Sequence, residues 1–568
     1  MLKNYCAVAV SLAVATLSAN AADLGVPKVT PQIQKSMTTI INDASMQKIY
    51  AELLTDENAQ ERFNTHVELA RIASPSRYEM RRANEIMRRM VEEWGFDPKN
   101  VMTNAQGTIE GAGIQKVGGL PVYNACVRIP GTYSQQKDAQ SYKGQYPKVL
   151  LEGHIDTVNP SVLPPADHPY SAVKLQKATE KVTSTRDGLA ALKDEMHFDK
   201  SGKVIEDENY KKAYRRFANL KDAQKNGGYR IYVPGFRDAM GNTTSLLMAA
   251  RLLKKYNIKP VYDIWICGTA GEEGKGNLAG MKQLYGYNEA IGKGNNALNI
   301  VANFSADQIP VRARLNYVGS YRFEMQYSEP QVTDASKPHP SALMAASGAV
   351  SKIADLRTPT DFDKTKPPTT YTVGTIRCDG DDVTHHSKVC TINVDMRSPI
   401  QSMLNDIRAK IEPAFKAALD EENSKYGLKS GEKGALEMKL VWFGDRPAYK
   451  RPNYQDIVSQ IYWQSGEDIG IDKVKGLNNG ASSLNDNIPA TIGVPTVNFN
   501  VHTMAATGGG HTFYEWGIPG NAKDEAKRIF RWIVMGLTAA GFNTSTGEVV
   551  APVADPIGSR TTEDVFEE

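Results

Sequence analysis

The stretch VLLEGHIDTV, residues 149–158, is an apolar run that closes on a histidine and an aspartate separated by one residue. A short run of this kind, bounded by polar residues, reads as a strand buried on both faces, the kind found inside parallel sheets. On a strand, side chains two apart share a face, so His154 and Asp156 point to one target. An isolated pair like this is most often a core histidine hydrogen-bonded to a carboxylate. The rest of the chain decides.

Working outward, comparable runs recur: YDIWICGTA, LNIVANFSA and IGVPTVNFNV. Helical stretches such as NTTSLLMAARLLKKY and NLAGMKQLYGY separate them. That alternation predicts an α/β domain with a mostly parallel sheet flanked by helices. Residues 36–95 carry helical periodicity, as in ANEIMRRMVEEWG with its glycine stop. Two segments break the pattern. Residues 160–230 are charged and read as a helical insertion. Residues 317–447 read as strand, helix, strand, strand, helix, strand, a smaller α+β ferredoxin-like unit. The expected divisions are 1–21, 22–316, 317–447, 448–545 and a C-terminal arm at 546–568.

At 568 residues, two domains or one domain with insertions are expected. A net charge of +3 without a long basic run argues against a nucleic-acid surface. Lys3, the apolar residues 6–17 and Ala19-Asn20-Ala21 read as a secretory signal peptide cleaved near Ala21, which predicts an exported, periplasmic or secreted protein. No later run has the length of a membrane span, so no membrane association of the mature chain is expected. Four cysteines follow the leader. Cys126 and Cys267 read as buried strand residues. Cys378 and Cys390 flank a turn and are candidates for a disulfide.

The strand ends carry the chemistry. After His154 and Asp156 come Asp238 in RDAMGN, Glu272 and Glu273 in GTAGEEGKG, Asp307 in VANFSADQ and His511 in GGGHTFYEW. Binding sites in open parallel sheets form at the carboxyl ends of the strands. Carboxylates gathered there need compensation, and a divalent metal supplies it.

These motifs, in this order, resemble the zinc aminoacylase/carboxypeptidase family, which includes peptidase T, glutamate carboxypeptidase, aminoacylase and succinyl-diaminopimelate desuccinylase. The segment GASSLNDNIPATIGVPTV adds to the resemblance, which spans roughly residues 60–540 apart from the insertion. It implies a zinc-exopeptidase fold whose inserted unit is a lid or dimerisation domain, with a homodimer formed through it. It further implies a two-zinc site, with cobalt or manganese as substitutes. Asp238 would bridge the ions, His154 and Asp307 would complete one, and Glu273 and His511 the other. His502 is the rival to His511. Glu272 would be the general base toward a metal-bridging water, and Asp156 would orient the His154 imidazole. His66, His168 and His197 are expected at the surface.

The substrate shell departs from the pattern. Arg446 in FGDRPAYK is the candidate to grip a substrate carboxylate. The family's usual lid histidine is replaced by the displaced His339. Thr384, His385 or His386 stand where a lid asparagine is expected, and Asn485 holds an aspartate position. The implied activity is exopeptidase cleavage of short peptides, with an N-acyl amino acid deacylase as the alternative. An inactive peptidase fold that only binds is the reading from another class, and an intact Glu272 speaks against it.

Overall fold

The computed structural model describes residues 27–102, 116–117, 120–135, 146–158, 179–181, 229–232, 234–288, 292–307, 313–329, 338–354, 369–379, 387–452, 454–471, 478–511 and 515–556. The leader, most of the insertion at 160–230, His168, His197, Thr384, His385 and His386 lie outside these residues.

In chain order the two principal sheets comprise β1 (Val101–Met102), β2 (Ala125–Ile129), β3 (Lys148–His154), β4 (Asp263–Thr269), β5 (Ile300–Ser305), β6 (Arg314–Tyr317), β7 (Gly319–Ser328), β8 (Thr370–Cys378), β9 (Val389–Ser398), β10 (Glu437–Arg446), β11 (Asn478–Ser482) and β12 (Thr496–Asn498). The larger sheet has the order β1-β2-β4-β3-β5-β12-β6-β11. Its centre, β4-β3-β5-β12, is parallel, and antiparallel strands extend it on both sides.

The seven residues of β3 are all buried, because the sheet is covered on both faces. Val149 and Leu151 face one core with α5 (Gly241–Lys255), α9 (Ile457–Ile469) and α11 (Ala522–Ala540). Leu150 faces the other, with α6 (Ala279–Leu284) and α10 (Asn487–Thr491). Each such aliphatic side chain contributes about 1.5–3 kcal/mol on burial. The N-terminal helices α1 (Pro31–Asn42), α2 (Ala44–Leu53) and α3 (Asp56–Ala70) begin where Thr30, Asp43 and Thr55 accept hydrogen bonds from their first turns. Together with α4 (Met80–Arg88) they add to the first core.

The segment from β7 to β10 is the expected βαββαβ unit. Its antiparallel sheet has the order β8-β9-β7-β10. Helices α7 (Ala342–Ala354) and α8 (Gln401–Ser424) pack on it around a separate core that includes Phe323, Met325, Ile392 and Phe415. The Lys282 ammonium donates to Asp445 O at 2.5 Å, and Arg322 Nη1 donates to Gly274 O at 2.8 Å, so this unit is anchored beside the glutamate turn.

Two cross-strand disulfides are present. Cys378–Cys390 joins directly opposed residues of β8 and β9. Cys126–Cys267, which the sequence suggests only as two buried residues, joins opposed residues of β2 and β4. Its pairing follows from strand adjacency across 141 residues. The C-terminal arm is docked rather than loose over its first part, with Val549–Val550 pairing to Phe542–Asn543.

Candidate metal centre

Five connections deliver the centre. β3 ends on His154, and Asp156 lies just beyond it. Asp238 stands in the turn before α5. Glu272 and Glu273 follow β4, and Asp307 follows β5. His511 lies in the loop between strands Met504–Gly508 and Trp516–Pro519. Gly271 takes φ +73° and Gly274 φ +45° on either side of the two glutamates, left-handed conformations that glycine adopts without a Cβ penalty.

The two carboxylate oxygens of Asp238 face different histidines. Oδ1 lies 3.2 Å from His154 Nε2, and Oδ2 lies 3.1 Å from His511 Nε2. Asp307 Oδ1 stands on the His154 side at 3.7 Å, and Glu273 Oε1 on the His511 side at 3.2 Å. His154, Asp238 and Glu273 can place one ligand atom each within 4.8 Å of one another, and so can His154, Glu272 and Asp307. Proximity alone therefore does not divide ligand from base among the glutamates. The His511 side chain is 58% exposed and that of His154 1%, so the centre opens on the His511 side.

The electrostatics match this layout. Burial works against a charged His154, yet Asp156, Asp238 and Asp307 hold its pKa well above the ordinary histidine value. Asp238 and Glu273 raise His511 to about 11. Burial likewise opposes the charge on Asp238, but the two imidazoles hold its carboxyl far below the usual range. Such a donor set, carboxylates whose balancing charge rests on two imidazoles, is chemically suited to divalent ions, which take over that balance.

Behind His154, Asp156 is fully buried, with its Oδ1 3.4 Å from His154 Nδ1. The Asp156 carboxylate also accepts from the backbone N–H groups of Glu272 and Glu273, each at 2.9 Å. Glu272 stands apart from the Asp238 axis. Its Oε1 accepts from Arg446 Nη1 at 3.1 Å. Burial, partly offset by Arg446 and reinforced by Glu273 and Asp307, pushes Glu272 up to about 8.

The three substrate-shell candidates have the following surroundings. Arg446, expected to grip a substrate carboxylate, is buried and committed to Glu272, contacting both its side chain and its carbonyl. The sequence shows the arginine but not its partner, which arrives from 174 residues away. Asn485 is buried against the sheet, donating to Glu152 at 2.7 Å and Thr269 at 2.9 Å. The fully buried Glu152 needs such donors. His339 precedes α7, 3.9 Å from Glu329, and belongs to neither metal-capable group.

Three residues not assigned from sequence lie around the centre. Glu515 accepts from the N–H groups of Gly235, Arg237 and Asp238 at 2.9–3.1 Å and so shapes the turn that presents Asp238. The spacing from His511 in GGGHTFYEW was its signal. Arg397 on β9 keeps 48% of its side chain exposed, pairs with Asp395 at 2.9 Å and lies within electrostatic reach of Glu272 and Glu273. Only the alternation in TINVDMRS hinted at its direction. Ser76 donates to Asp156.

His502 does not join the centre. It is buried, with Nδ1 3.2 Å from Glu525 Oε2, and packed so tightly on Gly241 that a Cβ there would lie 2.4 Å from its ring. His66, expected at the surface, is buried instead, stacked on Phe236 with Nε2 2.7 Å from Phe236 O. Burial and the neighbouring His502 lower it to about 3. A histidine depressed in the folded state is neutral there while the unfolded chain takes up a proton. Its stability contribution is therefore complete above about pH 6.5 and is lost as the pH falls toward 3. Burial opposes the charge on Glu525, but His502, Arg62 and Ser245 hold it at about 2, so a second loss follows below about pH 4.5. Several buried carboxyls with raised pKa values act in the opposite sense over this range, so the His66 contribution is read as a difference: urea midpoints of wild type and His66→Gln, measured in parallel from pH 7 to 4.5, are expected to shift in favour of the variant as the pH falls.

No family model matches the sequence, and comparison with curated proteins returns no match. Solved structures do match. Dug1p from Saccharomyces cerevisiae, described as a novel di-peptidase, aligns at a TM-score of 0.50 and 9% identity, covering 87% of this chain and 98% of that one. The two share a fold. Human carnosine dipeptidase 1 aligns at 0.49 and 11% identity, over 87% of this chain and 99% of that one. YxeP of Bacillus subtilis, described as a dinuclear metal binding peptidase from the M20 family, aligns at 0.45 and 10%, over 86% and 99% of the two chains.

Proposed function

We propose that the protein is a dinuclear metallohydrolase that cleaves the amide bond of short peptides. The observation that carries this reading is Asp238, whose two oxygens face two different imidazoles, with a buried glutamate held to one side of them. Asp238 would hold both ions, His154 and Asp307 one, and Glu273 and His511 the other. Zinc suits these donors, with cobalt and manganese as substitutes. When bound, the ions supply Lewis-acid polarisation of the scissile carbonyl and of the attacking water.

The chain's own residues supply the rest. Glu272, buried beside the centre and held by Arg446, accepts the proton of the attacking water and passes it to the leaving amine. Asp156 holds the Nδ1 side of His154, so that Nε2 faces the centre. Arg397 takes the role first expected of Arg446 and grips a free substrate carboxylate. Its guanidinium is half open, whereas that of Arg446 is closed on Glu272. On this reading Arg397→Ala raises KM by about tenfold or more for substrates with a free carboxylate, the order expected for losing a charge-assisted pair. The same substitution leaves amidated substrates nearly unchanged, and parallel KM measurements on the two forms check this.

Export is part of the proposal. The basic, apolar and small-residue order of residues 1–21 supports it, as do two disulfides that use all four cysteines beyond that segment. Elemental analysis of the purified protein, with a panel of di- and tripeptides both free and N-blocked, tests the activity. About two divalent ions per chain and turnover of free peptides are expected. Turnover of N-acyl amino acids alone would move the assignment to a deacylase, and no turnover with no bound metal would overturn it.

A further inference from the structure

Beyond the Ser76–Asp156 hydrogen bond, the motif SPSRYE, residues 74–79, has no part in the chemistry above, yet it is built into the back of the centre. Two backbone hydrogen bonds fasten it beside the HxD segment: Ser76 N to Thr157 O at 3.1 Å and Thr157 N to Ser74 O at 2.9 Å. From there it reaches the glutamate turn at three points. The Ser76 hydroxyl donates to Asp156 Oδ2 and lies 2.8 Å from Glu273 O. Arg77, at φ +79°, sends Nε to Lys275 O at 3.1 Å. The Glu79 carboxyl accepts from Arg77 N at 2.8 Å and from the backbone N–H of Gly271. Ser76 and Glu79 are each only 1% exposed.

We propose that Ser76 and Glu79 are positioning residues that set the orientation of the GEEG turn, and with it the divergence of Glu272 from Glu273. Adjacent side chains in a glycine-flanked turn have many relative orientations available. Here the two peptide N–H groups are fixed by Asp156, the following carbonyl meets Ser76, and the preceding glycine is tied to Glu79. The turn is thus held from residue 271 to residue 275 by one short segment of a distant part of the chain. Arg446 and Arg322 hold its opposite side. Loosening the grip moves Glu273 off its ion and Glu272 off the attacking water together.

The catalytic half of this role rests on the two-metal reading above, so the experiment includes a readout independent of substrate. Cobalt(II) is titrated into the metal-stripped full-length protein, with calorimetry and visible absorbance recorded for wild type, Ser76→Ala, Ser76→Thr and Arg77→Met. Ser76→Ala is expected to weaken one of the two cobalt affinities by about 10–100-fold, the usual cost of losing a residue that orients a ligand, and to change the absorbance of that site. Its kcat falls by a similar factor while KM moves less than about twofold, and Ser76→Thr restores both. Arg77→Met, at a partly exposed position, gives a smaller change of the same sign and serves if Ser76→Ala fails to fold. Wild-type cobalt affinity, spectrum and kcat in Ser76→Ala, or no recovery in Ser76→Thr, overturns the inference. A wild-type protein that binds cobalt but turns over no peptide defeats the functional reading and leaves the spectral comparison decisive for the turn.

Discussion

On the proposed reading, Glu272→Gln is expected to keep two ions per chain and to lose turnover by about 10²–10⁴-fold, the range for removing a general base. The amide conserves volume and still offers an acceptor to Arg446, whose Nη1 lies 3.1 Å from Glu272 Oε1, so the local fold has no cause to rearrange. It cannot take up the proton. Glu273→Gln has the opposite profile. It is expected to weaken binding of the ion nearest His511, since Glu273 Oε1 is 3.2 Å from His511 Nε2, with added zinc recovering part of the lost activity. Zinc stoichiometry by elemental analysis, paired with single-turnover rates for both variants, checks the division. Because Glu272 also forms a metal-capable group with His154 and Asp307, the outcome that refutes it is definite: loss of an ion in Glu272→Gln with both retained in Glu273→Gln.

Asp238→Ala is expected to lose both ions at once, where every other ligand substitution loses one. Its two oxygens reach separate imidazoles, so one truncation removes a donor from each side. Activity should fall to background, and chelation should have no further effect on the variant. Folding should survive, because Glu515 still accepts from Gly235 N and Arg237 N in that turn. Dialysis against a metal buffer followed by elemental analysis reads the result. An Asp238→Ala protein that retains one full equivalent would show that the two ions have independent donor sets.

Much of the centre was legible because each donor ends a locally patterned segment. His154 closes an apolar run, Asp238 precedes a helix, and Glu272 and Glu273 sit between glycines. The βαββαβ unit was legible for the same reason, since periodicity is a property of neighbours in sequence. The partners of Arg446 and Asn485 and the burial of His66 were not. An arginine followed by Pro-Ala looks alike whether it meets a substrate or a glutamate 174 residues away. A histidine on an amphipathic helix looks exposed until Phe236 stacks over it.

The sequence by itself determined the order of strands and helices, the side-chain types delivered at each strand end, and the glycines that let two adjacent glutamates turn apart. Those are set by periods of two or 3.6 residues and by local backbone sterics. Tertiary structure alone decided the pairings. Asp238 meets His511 across 273 residues, Ser76 meets Glu273 across 197, and Cys126 meets Cys267 across 141. Contacts at such separations depend on which strands become neighbours and how the helices cover them. A packed interior chooses among those arrangements by the burial and hydrogen bonding of the whole, and no local pattern carries that choice.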